Sequence, residues 1–255
     1  MIFAIDVGNT NIVFGCIEDG NLSNIVRIRT DTRCTDTEYA IKLRQIFDIY
    51  GIDDHGFEGA IISSVVPGVT VSLVNAVETI CGVKCMVVKP GMKTGMNIRI
   101  DDPGTLAGDF VTGSVASIYC YGTPCICIDL GTATTIVAID RNNSYLGGVI
   151  YPGIKLSYNA LSSGTSLLPD ISITPPPRCI GTNTVDSMRS GAVFGTASLI
   201  DGMIDRMEEE LGEKCVLVAT GGMASSVVPY CRHEITVDDD LLLKGLWALY
   251  QKNSR

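Results

Sequence analysis

The sequence predicts an α/β protein made of two similar lobes, each a mixed β-sheet with flanking helices. The main support is a segment that occurs twice, IDVGNTNIVFGCIEDGNLS at residues 5–23 and IDLGTATTIVAIDRNNSYL at residues 128–146. Both copies place a glycine turn between two apolar runs typical of strands. With 255 residues and 46% hydrophobic composition, the chain also approaches the size at which one hydrophobic core gives way to two. We therefore predict lobes at residues 1–115 and 116–255.

The first lobe opens with three predicted strands joined by tight turns, at Ile2–Asp6, Ile12–Ile17 and Leu22–Ile28. A helix is expected at about residues 36–50, because Thr35 or Asp36 can cap it and apolar side chains recur on one face. A buried strand at residues 59–62, a helix at 69–81 and a strand at 84–88 follow. The predicted order is β-β-β-α-β-α-β.

The second lobe repeats this opening. A helical segment at residues 102–121 leads into strands at 124–129, 134–140 and 144–149. A proline-rich loop at residues 174–177 precedes a long helix at about 185–211, whose small side chains permit close packing within the lobe or across a dimer interface. The remaining elements are a strand at 216–220, a short helix, a strand near 234–237 and a closing helix at 241–250. The two lobes are thus expected to share one plan.

Composition excludes several classes of function. A net charge of −9 opposes a nucleic-acid partner, because affinity for the phosphate backbone depends on clustered cations. No unbroken apolar stretch approaches the ~18 residues that a membrane span needs. The first residues also lack the cationic region of a signal peptide. We expect a cytoplasmic protein that binds neither nucleic acid nor membrane.

The ten cysteines are scattered, often inside apolar runs such as Cys125-Ile126-Cys127. This placement favours buried thiols in a reducing compartment over a disulfide framework. The sequence has no C-x-x-C motif, and its two histidines, His55 and His233, lie far along the chain from any cysteine pair. A zinc site is therefore not expected.

The duplicated turn has the chemistry of a phosphate-binding loop. Gly8 and Gly131 leave room for an anion to approach backbone N–H groups. Nearby threonines supply hydroxyl donors, namely Thr10, Thr132, Thr134 and Thr135. Asp6 and Asp129 would repel a phosphate, so we expect them to hold a cation, or its hydration shell, beside the phosphate oxygens. A plain turn after a strand is the alternative for either copy alone, and the duplication favours phosphate binding.

Other phosphate-binding motifs are missing from the sequence. It has no G-x-x-x-x-G-K-[ST] and no G-x-G-x-x-G that opens a helix. Asp109-Phe110 is followed by Val111 instead of the glycine of the protein-kinase signature, and the companion motifs of that signature are absent. The duplicated turn is the one phosphate motif that remains.

With these motifs the chain resembles the acetate/sugar kinase, Hsp70 and actin superfamily, and within it the type III pantothenate kinases. The resemblance extends over nearly the whole length, and its motifs are IDVGNTNIVFG at residues 5–15, KTG at 93–95, Asp109, DLGTATT at 129–135, YLGGVIYPGIK at 145–155, GTNTVDSMRSGAVFG at 181–195 and ATGG at 219–222. The resemblance implies two ribonuclease-H-like, or actin-like ATPase, lobes with an ATP cleft between them.

The resemblance also implies roles for individual residues. The nucleotide site would comprise Asp6, Val7, Gly8, Asn9, Thr10, Asn11, Ile12, Val13, Gly131, Thr132, Thr134, Gly221 and Gly222. Because Gly221 and Gly222 follow a strand, we expect them to let adenosine approach the backbone; an ordinary connection from strand to helix is the alternative for this pair. Asp109 would be the general base on the hydroxyl of pantothenate. Asp129 would hold a monovalent cation. For Asp6, the expectation that it holds Mg²⁺ through water comes from the position of its carboxylate beside the phosphate turn. The acceptor site would comprise Ile100, Ala107, Gly108, Phe110 and Thr184.

The acceptor side departs from the family pattern. The family has tyrosine where this chain has Ile100, arginine where it has Phe110, and lysine where it has Thr182. Losing an arginine that clamps a carboxylate removes about 2 to 3 kcal/mol of binding. Two explanations stay open: another cation replaces the clamp, with Arg99, Lys93 and Arg189 as candidates, or the pocket accepts a different alcohol.

The function expected from these features is ATP-dependent phosphorylation of pantothenate, the first step of coenzyme A biosynthesis. The expected cofactors are ATP, Mg²⁺ and a monovalent cation, K⁺ or NH₄⁺. The resemblance implies a homodimer. The expected binding partner is a small-molecule substrate. The alternatives are a kinase for a different small alcohol and a non-catalytic nucleotide-binding regulator.

Overall fold

The computed structural model describes residues 1–254. The chain forms two compact units. The first comprises Met1–Gly95, Asp101–Cys120 and the segment that starts at Leu241. The second comprises Met96–Ile100 and Tyr121–Asp240.

The strands are, in chain order, β1 (Ile2–Val7), β2 (Asn11–Glu18), β3 (Asn21–Arg29), β4 (Gly59–Ser64), β5 (Cys85–Val87), β6 (Asn97–Ile98), β7 (Cys125–Leu130), β8 (Ala133–Ile139), β9 (Ser144–Pro152), β10 (Val216–Thr220) and β11 (Thr236–Val237). The helices are α1 (Asp36–Tyr50), α2 (Pro67–Cys81), α3 (Gly108–Tyr121), α4 (Ile154–Ser163), α5 (Thr184–Ser190), α6 (Thr196–Leu211), α7 (Ala224–Val227) and α8 (Leu241–Asn253). This order confirms the α/β class.

The sheet of the first unit has the strand order β3-β2-β1-β4-β5. Strands β1, β2 and β3 form an antiparallel meander, whereas β1, β4 and β5 run parallel. Because carboxyl ends of parallel strands share one edge of a sheet, the residues that follow β1, β4 and β5 lie along the same edge.

One face of this sheet is the main core of the first unit. Phe3 packs there against the rings of Phe14, Phe47 and Phe57, at centroid distances of 5.2 to 5.7 Å. Thr35 caps α1 on this side, and its hydroxyl and the Glu38 carboxylate form a reciprocal capping box. Helix α8 packs against β1 and β4, within the same unit.

The sheet of the second unit has the order β11-β10-β7-β8-β9-β6. Its run β9-β8-β7-β10-β11 has the same order and directions as β3-β2-β1-β4-β5 in the first unit. The prediction that one three-strand opening begins both halves is therefore confirmed by two separate mixed sheets.

The long helix predicted at residues 185–211 is a helical run interrupted by a π-helical turn. Helix α5 leads into this turn at Gly191–Gly195, and α6 continues to Leu211. Ala192 and Ala197 are at most 1% exposed in the core of the second unit. These two small side chains therefore pack within their unit.

The sequence missed three features. Strand β6 has two residues, too few for a hydropathy pattern, and pairs with β9. Helix α4 buries Ile154 alone, so its apolar periodicity is weak. The predicted helical segment at 102–121 starts as a 3₁₀ turn at Pro103–Thr105, and the α-helix begins at Gly108. Among residues 1–254, no helix combines the length and apolar character required to span a bilayer.

Candidate functional site

The first glycine turn joins β1 to β2 in the first unit. Val7 pairs with Ile12, and residues 8–11 form the connection, in which the Gly8 N–H donates to the Asn11 carbonyl at 2.9 Å. Asn9 and Thr10 are exposed at its tip. The side chains of Val7 and Ile12 point into the core, at most 1% exposed, so these predicted site residues can offer only backbone groups to a ligand.

The second turn is one residue shorter than the first. Leu130 pairs with Thr134, residues 131–133 form the connection, and the Gly131 N–H donates to the Ala133 carbonyl at 3.0 Å. Thr132 is exposed, whereas Thr134 is only 3% exposed on β8. Thr132 is therefore the threonine of this turn whose hydroxyl a ligand can reach.

Asp129 and Gly221 are neighbours in the second unit. Asp129 pairs with Thr220 across β7 and β10, so the residue after Thr220 reaches the start of the turn. A methyl group built on Gly221 would overlap the Asp129 carboxylate and the Leu130 backbone, and Gly221 has a φ of +93°. The fold thus brings the second turn and the predicted Gly221-Gly222 connection together.

Asp6 and Ser63 occupy opposite positions on the parallel strands β1 and β4. Their neighbours Ile5 and Ile62 belong to the main core, so the side chains of Asp6 and Ser63 project from the other face of the sheet. A methyl group on Gly108 would lie 3.1 Å from Ser63 Oγ, which places the first residue of α3 on that face. Asp6 and the residue before Asp109 are therefore gathered around Ser63.

Asp109 lies in the first turn of α3. Its carboxylate accepts a hydrogen bond from the Phe110 N–H at 2.8 Å. Burial raises the pKa of the Asp109 carboxyl above its ordinary value, and the backbone hydrogen bonds it accepts oppose that rise. A partly buried carboxylate with a raised pKa is suited to accept a proton from an alcohol.

The predicted acceptor residues fall into both units. Ala107, Gly108 and Phe110 belong to the first unit and surround Asp109 in sequence at the start of α3. Ile100 and Thr184 belong to the second unit; Thr184 is exposed at the start of α5, which Asn183 caps through the Asp186 N–H. Three of the predicted acceptor residues are therefore sequence neighbours of the candidate base in the first unit, and two lie in the second unit.

The candidate cations differ in how they are held. Arg189 donates to the Ser172 hydroxyl at 3.0 Å and to the Ser172 carbonyl at 3.3 Å, so it already supports a loop. Lys93 is exposed, and the side-chain amide of Asn253 on α8 holds both its N–H and its carbonyl at 2.9 Å. These bonds fix the Lys93 backbone on α8.

One group of potential metal ligands lies elsewhere in the described part of the chain, formed by Asp205, Glu208 and His233. His233 Nε2 lies 2.9 Å from Asp205, and the Glu208 carboxylate accepts from Lys214 at 2.6 Å and from the Cys215 N–H at 2.9 Å. Ion pairs and hydrogen bonds therefore account for this group. All ten cysteines are free thiols.

Sequence reasoning missed Ser63, Thr30 and Gly153. Ser63 is 0% exposed, and within residues 1–254 its hydroxyl has no hydrogen-bond partner. Thr30 and Gly153 contact the two turns from the ends of β3 and β9. The sequence could have indicated Thr30 and Gly153, because each of them directly follows the third strand of its repeat.

The comparisons with known proteins identify the family and the fold of the chain. The family model described as type III pantothenate kinase matches residues 2–206. Among solved structures, a protein described as a Baf family transcriptional activator from Campylobacter jejuni matches with a TM-score of 0.59 and 19% identity, over 99% of this chain and 98% of that one.

Two further solved structures show the same fold. Component A of (R)-2-hydroxyglutaryl-CoA dehydratase from Acidaminococcus fermentans has a TM-score of 0.58 at 13% identity, over 98% of this chain and 97% of that one. A protein described as an N-acetylglucosamine kinase from Porphyromonas gingivalis has a TM-score of 0.51 at 14% identity and covers 100% of both chains. The sequence-based family assignment and the kinase-type fold are thereby confirmed.

Proposed function

Because the chain belongs to the type III pantothenate kinase family, and is therefore an ATP-dependent phosphotransferase, we propose that its acceptor is the hydroxyl of pantothenate. The observation that best supports this proposal is the position of Asp109. Asp109 lies in the first turn of α3, whose first residue, Gly108, packs on Ser63, and Ser63 pairs with Asp6 of β1. The start of the helix that carries the candidate base and the side chain of Asp6, which precedes the glycine turn, therefore lie on the same face of one sheet.

In the proposed reaction, Asp109 accepts the proton of the acceptor hydroxyl as its oxygen attacks the γ-phosphorus of ATP. The bond from the γ-phosphorus to the bridging oxygen breaks, and ADP leaves with that electron pair. In each glycine turn, backbone N–H groups provide donors that stabilise negative charge on a phosphate oxygen. Asp109 then holds a proton that returns to solvent after the products depart.

The carboxylates of Asp6 and Asp129 fit bound cations, because hard cations prefer oxygen ligands and each carboxylate stands beside a phosphate-type turn. Asp129 rests against Gly221, where a side chain would fill the space it occupies. We assign water-mediated Mg²⁺ binding to Asp6 and binding of K⁺ or NH₄⁺ to Asp129. Such cations would neutralise charge on the transferring phosphoryl group.

For the carboxylate of pantothenate we assign Lys93 as the cation that takes the place of the family's arginine. Phe110 occupies the position of that arginine and provides no charge. Arg189 is engaged with Ser172, whereas the Lys93 ammonium stands on a backbone fixed by Asn253 in the same unit as Asp109. A different, less anionic alcohol remains the second candidate acceptor, because it would need no such cation.

We also propose a homodimer. On β9, Leu146 and Ile150 are 37% and 68% exposed, whereas Val149 packs toward the core. Exposed apolar side chains of this kind on a strand are typical of a surface that a second copy covers. Light scattering during size-exclusion chromatography would measure the mass, and Ile150→Glu is expected to shift a dimer to monomer.

The experiment for the proposed reaction uses purified protein with ATP, Mg²⁺ and either K⁺ or NH₄⁺. ADP release is measured with pantothenate and with a panel of small alcohols. Faster ADP release with pantothenate than with the other alcohols supports the proposal. ADP release with another alcohol and none with pantothenate would show that this other alcohol is the acceptor. Tight ATP binding without turnover of any alcohol would favour the non-catalytic regulator.

A further inference from the structure

The residue that directly follows the third strand of each repeat lies against the glycine turn of the same unit. These residues are Thr30, after β3, and Gly153, after β9. We propose that Thr30 and Gly153 are positioning residues that set the direction of the phosphate-binding N–H groups in the two turns. The proposal deepens the proposed function and rests on it, because it assumes that the turns bind the phosphates of ATP.

In the first unit, Thr30 binds two carbonyl groups of the turn. Its N–H donates to the Thr10 carbonyl at 3.0 Å, and its hydroxyl donates to the Gly8 carbonyl at 2.6 Å. The first bond continues the ladder in which Asn11 pairs with Arg29. The second bond depends on the threonine side chain, so it is specific to this residue type.

The planar peptide bond lets these contacts fix the direction of the N–H groups that follow the bonded carbonyls. In a trans peptide the C=O and the following N–H lie in one plane and point to opposite sides. Fixing the Gly8 carbonyl on Thr30 therefore turns the Asn9 N–H away from Thr30, and fixing the Thr10 carbonyl does the same for the Asn11 N–H. Two N–H donors with a common direction form the kind of concavity that binds an anion.

The second unit repeats the backbone half of this arrangement. The Gly153 N–H donates to the Thr132 carbonyl at 3.0 Å, the counterpart of the bond from Thr30 to Thr10. A methyl group on Gly153 would overlap the carbonyl oxygens of both Gly131 and Thr132. Fixing the Thr132 carbonyl directs the N–H of Ala133 to the opposite side. Glycine at this position is thus required by the close approach of the turn.

The backbone next to Thr30 is bonded to a side chain of the hydrophobic core. The hydroxyl of Tyr39, a side chain that is 1% exposed on α1, donates to the carbonyl of the adjacent Asp31 at 2.8 Å. The contact from the turn through Thr30 and Asp31 to Tyr39 therefore ends in the packed interior. A turn supported in this way keeps its donors oriented before the nucleotide arrives, which lowers the entropy that binding costs.

The test compares Thr30→Val, Thr30→Ser and Gly153→Ala with the wild-type protein. Matched controls are Thr79→Val, at an exposed threonine whose hydroxyl donates to the Asn75 carbonyl within α2, and Gly202→Ala, where an added methyl group meets no atom within 4 Å. Calorimetry measures the dissociation constant of Mg·ATP, an ADP assay gives kcat and both KM values, and thermal melting reports folding.

We expect Thr30→Val to raise the dissociation constant and the KM for ATP about five- to tenfold, as the loss of one oriented hydrogen bond implies. Thr30→Ser retains the hydroxyl and should stay within about twofold of wild type, and Gly153→Ala should weaken ATP binding by about tenfold or more, because carbonyls of the turn must move. The KM for the acceptor and both controls should change by less than about twofold.

Unchanged ATP affinity in folded Thr30→Val and Gly153→Ala proteins would overturn the inference, as would a lower melting temperature without weaker binding. If Gly153→Ala does not fold, the pair Thr30→Val and Thr30→Ser decides the matter. A wild-type protein that binds ATP and phosphorylates no alcohol would refute the kinase proposal alone. A wild-type protein that binds no ATP would refute both.

Discussion

The carboxylate of Asp129 lies directly against Gly221, a contact between residues 92 positions apart in sequence that the pairing of β7 with β10 creates. Gly221 also has a φ of +93°, a conformation that disfavours residues with a Cβ. The shape of the second turn therefore depends on a glycine outside it, and the consequence can be tested by adding a single methyl group.

Gly221→Ala is expected to displace the Asp129 carboxylate and to destabilise the fold by about 1 to 2 kcal/mol through backbone strain. The concentration of K⁺ or NH₄⁺ that gives half-maximal ADP release should rise. Titration of the monovalent cation at saturating ATP measures this, with Gly202→Ala as the control. If the concentration of cation required does not change, Asp129 does not bind the monovalent cation.

Asp109→Asn is expected to reduce kcat by about 10²- to 10⁴-fold, because the amide cannot accept the proton of the alcohol. Calorimetry should show ATP binding within about twofold of wild type, since the substitution leaves both turns intact. Asp101→Asn, an exposed carboxylate nearby in the chain, serves as the matched control. Retention of wild-type kcat by the Asp109 variant would remove this residue from catalysis.

The raised pKa of Asp109 predicts opposite effects of pH on activity and stability. The base works only when ionised, so kcat should fall as the pH decreases through the raised pKa. Because the folded state binds this proton more tightly than the unfolded state, the contribution of Asp109 to stability is present in acid and lost as the pH rises through the folded-state pKa.

Thermal melting of wild type and Asp109→Asn across the acidic to neutral range checks the stability effect. The variant should melt at the higher temperature near neutral pH, where the wild-type carboxylate is buried and charged, and the two should converge in acid. A variant that is less stable than wild type at neutral pH would contradict the assignment of burial as the cause.

Lys93→Met is expected to raise the KM for pantothenate by about tenfold or more, as the loss of a charge-assisted contact implies, with the KM for ATP unchanged. Lys89→Met, also exposed in the segment after β5, is the matched control. Steady-state ADP release with pantothenate and with its uncharged alcohol analogue measures the effect. An equal loss with both acceptors would show that Lys93 does not recognise the carboxylate.

Much of the fold could be predicted because its signals are local. Apolar alternation, turn residues and the Thr35 cap lie within a few positions of the elements they specify, so the strands of both meanders and α1, α2 and α8 were predicted close to their bounds. Strand β6 and the π-helical turn at Gly191–Gly195 have no comparable local pattern, and both depend on neighbours.

The candidate site divides in the same way. Residues such as Gly8 and Asp129 were identifiable because the repeated motif lies in consecutive residues. Asp109 was predicted as the base from the family resemblance. Ser63 and Thr30 belong to no quoted motif, and Gly153, although it lies in the motif at residues 145–155, received no role from the sequence. Their contacts arise when strands pair in register and bring carbonyls, carboxylates and helix starts from distant segments within hydrogen-bond distance.

The amino-acid order therefore specified the elements, the duplicated turn and the family, since each is encoded in short-range patterns of side chains. The tertiary structure alone determined three features of the candidate site. These are the direction of the turn carbonyls, the position of Asp6 and Gly108 next to Ser63, and the contact of Asp129 with Gly221. They depend on close packing between residues far apart in the chain, where a single methyl group or hydroxyl changes the outcome.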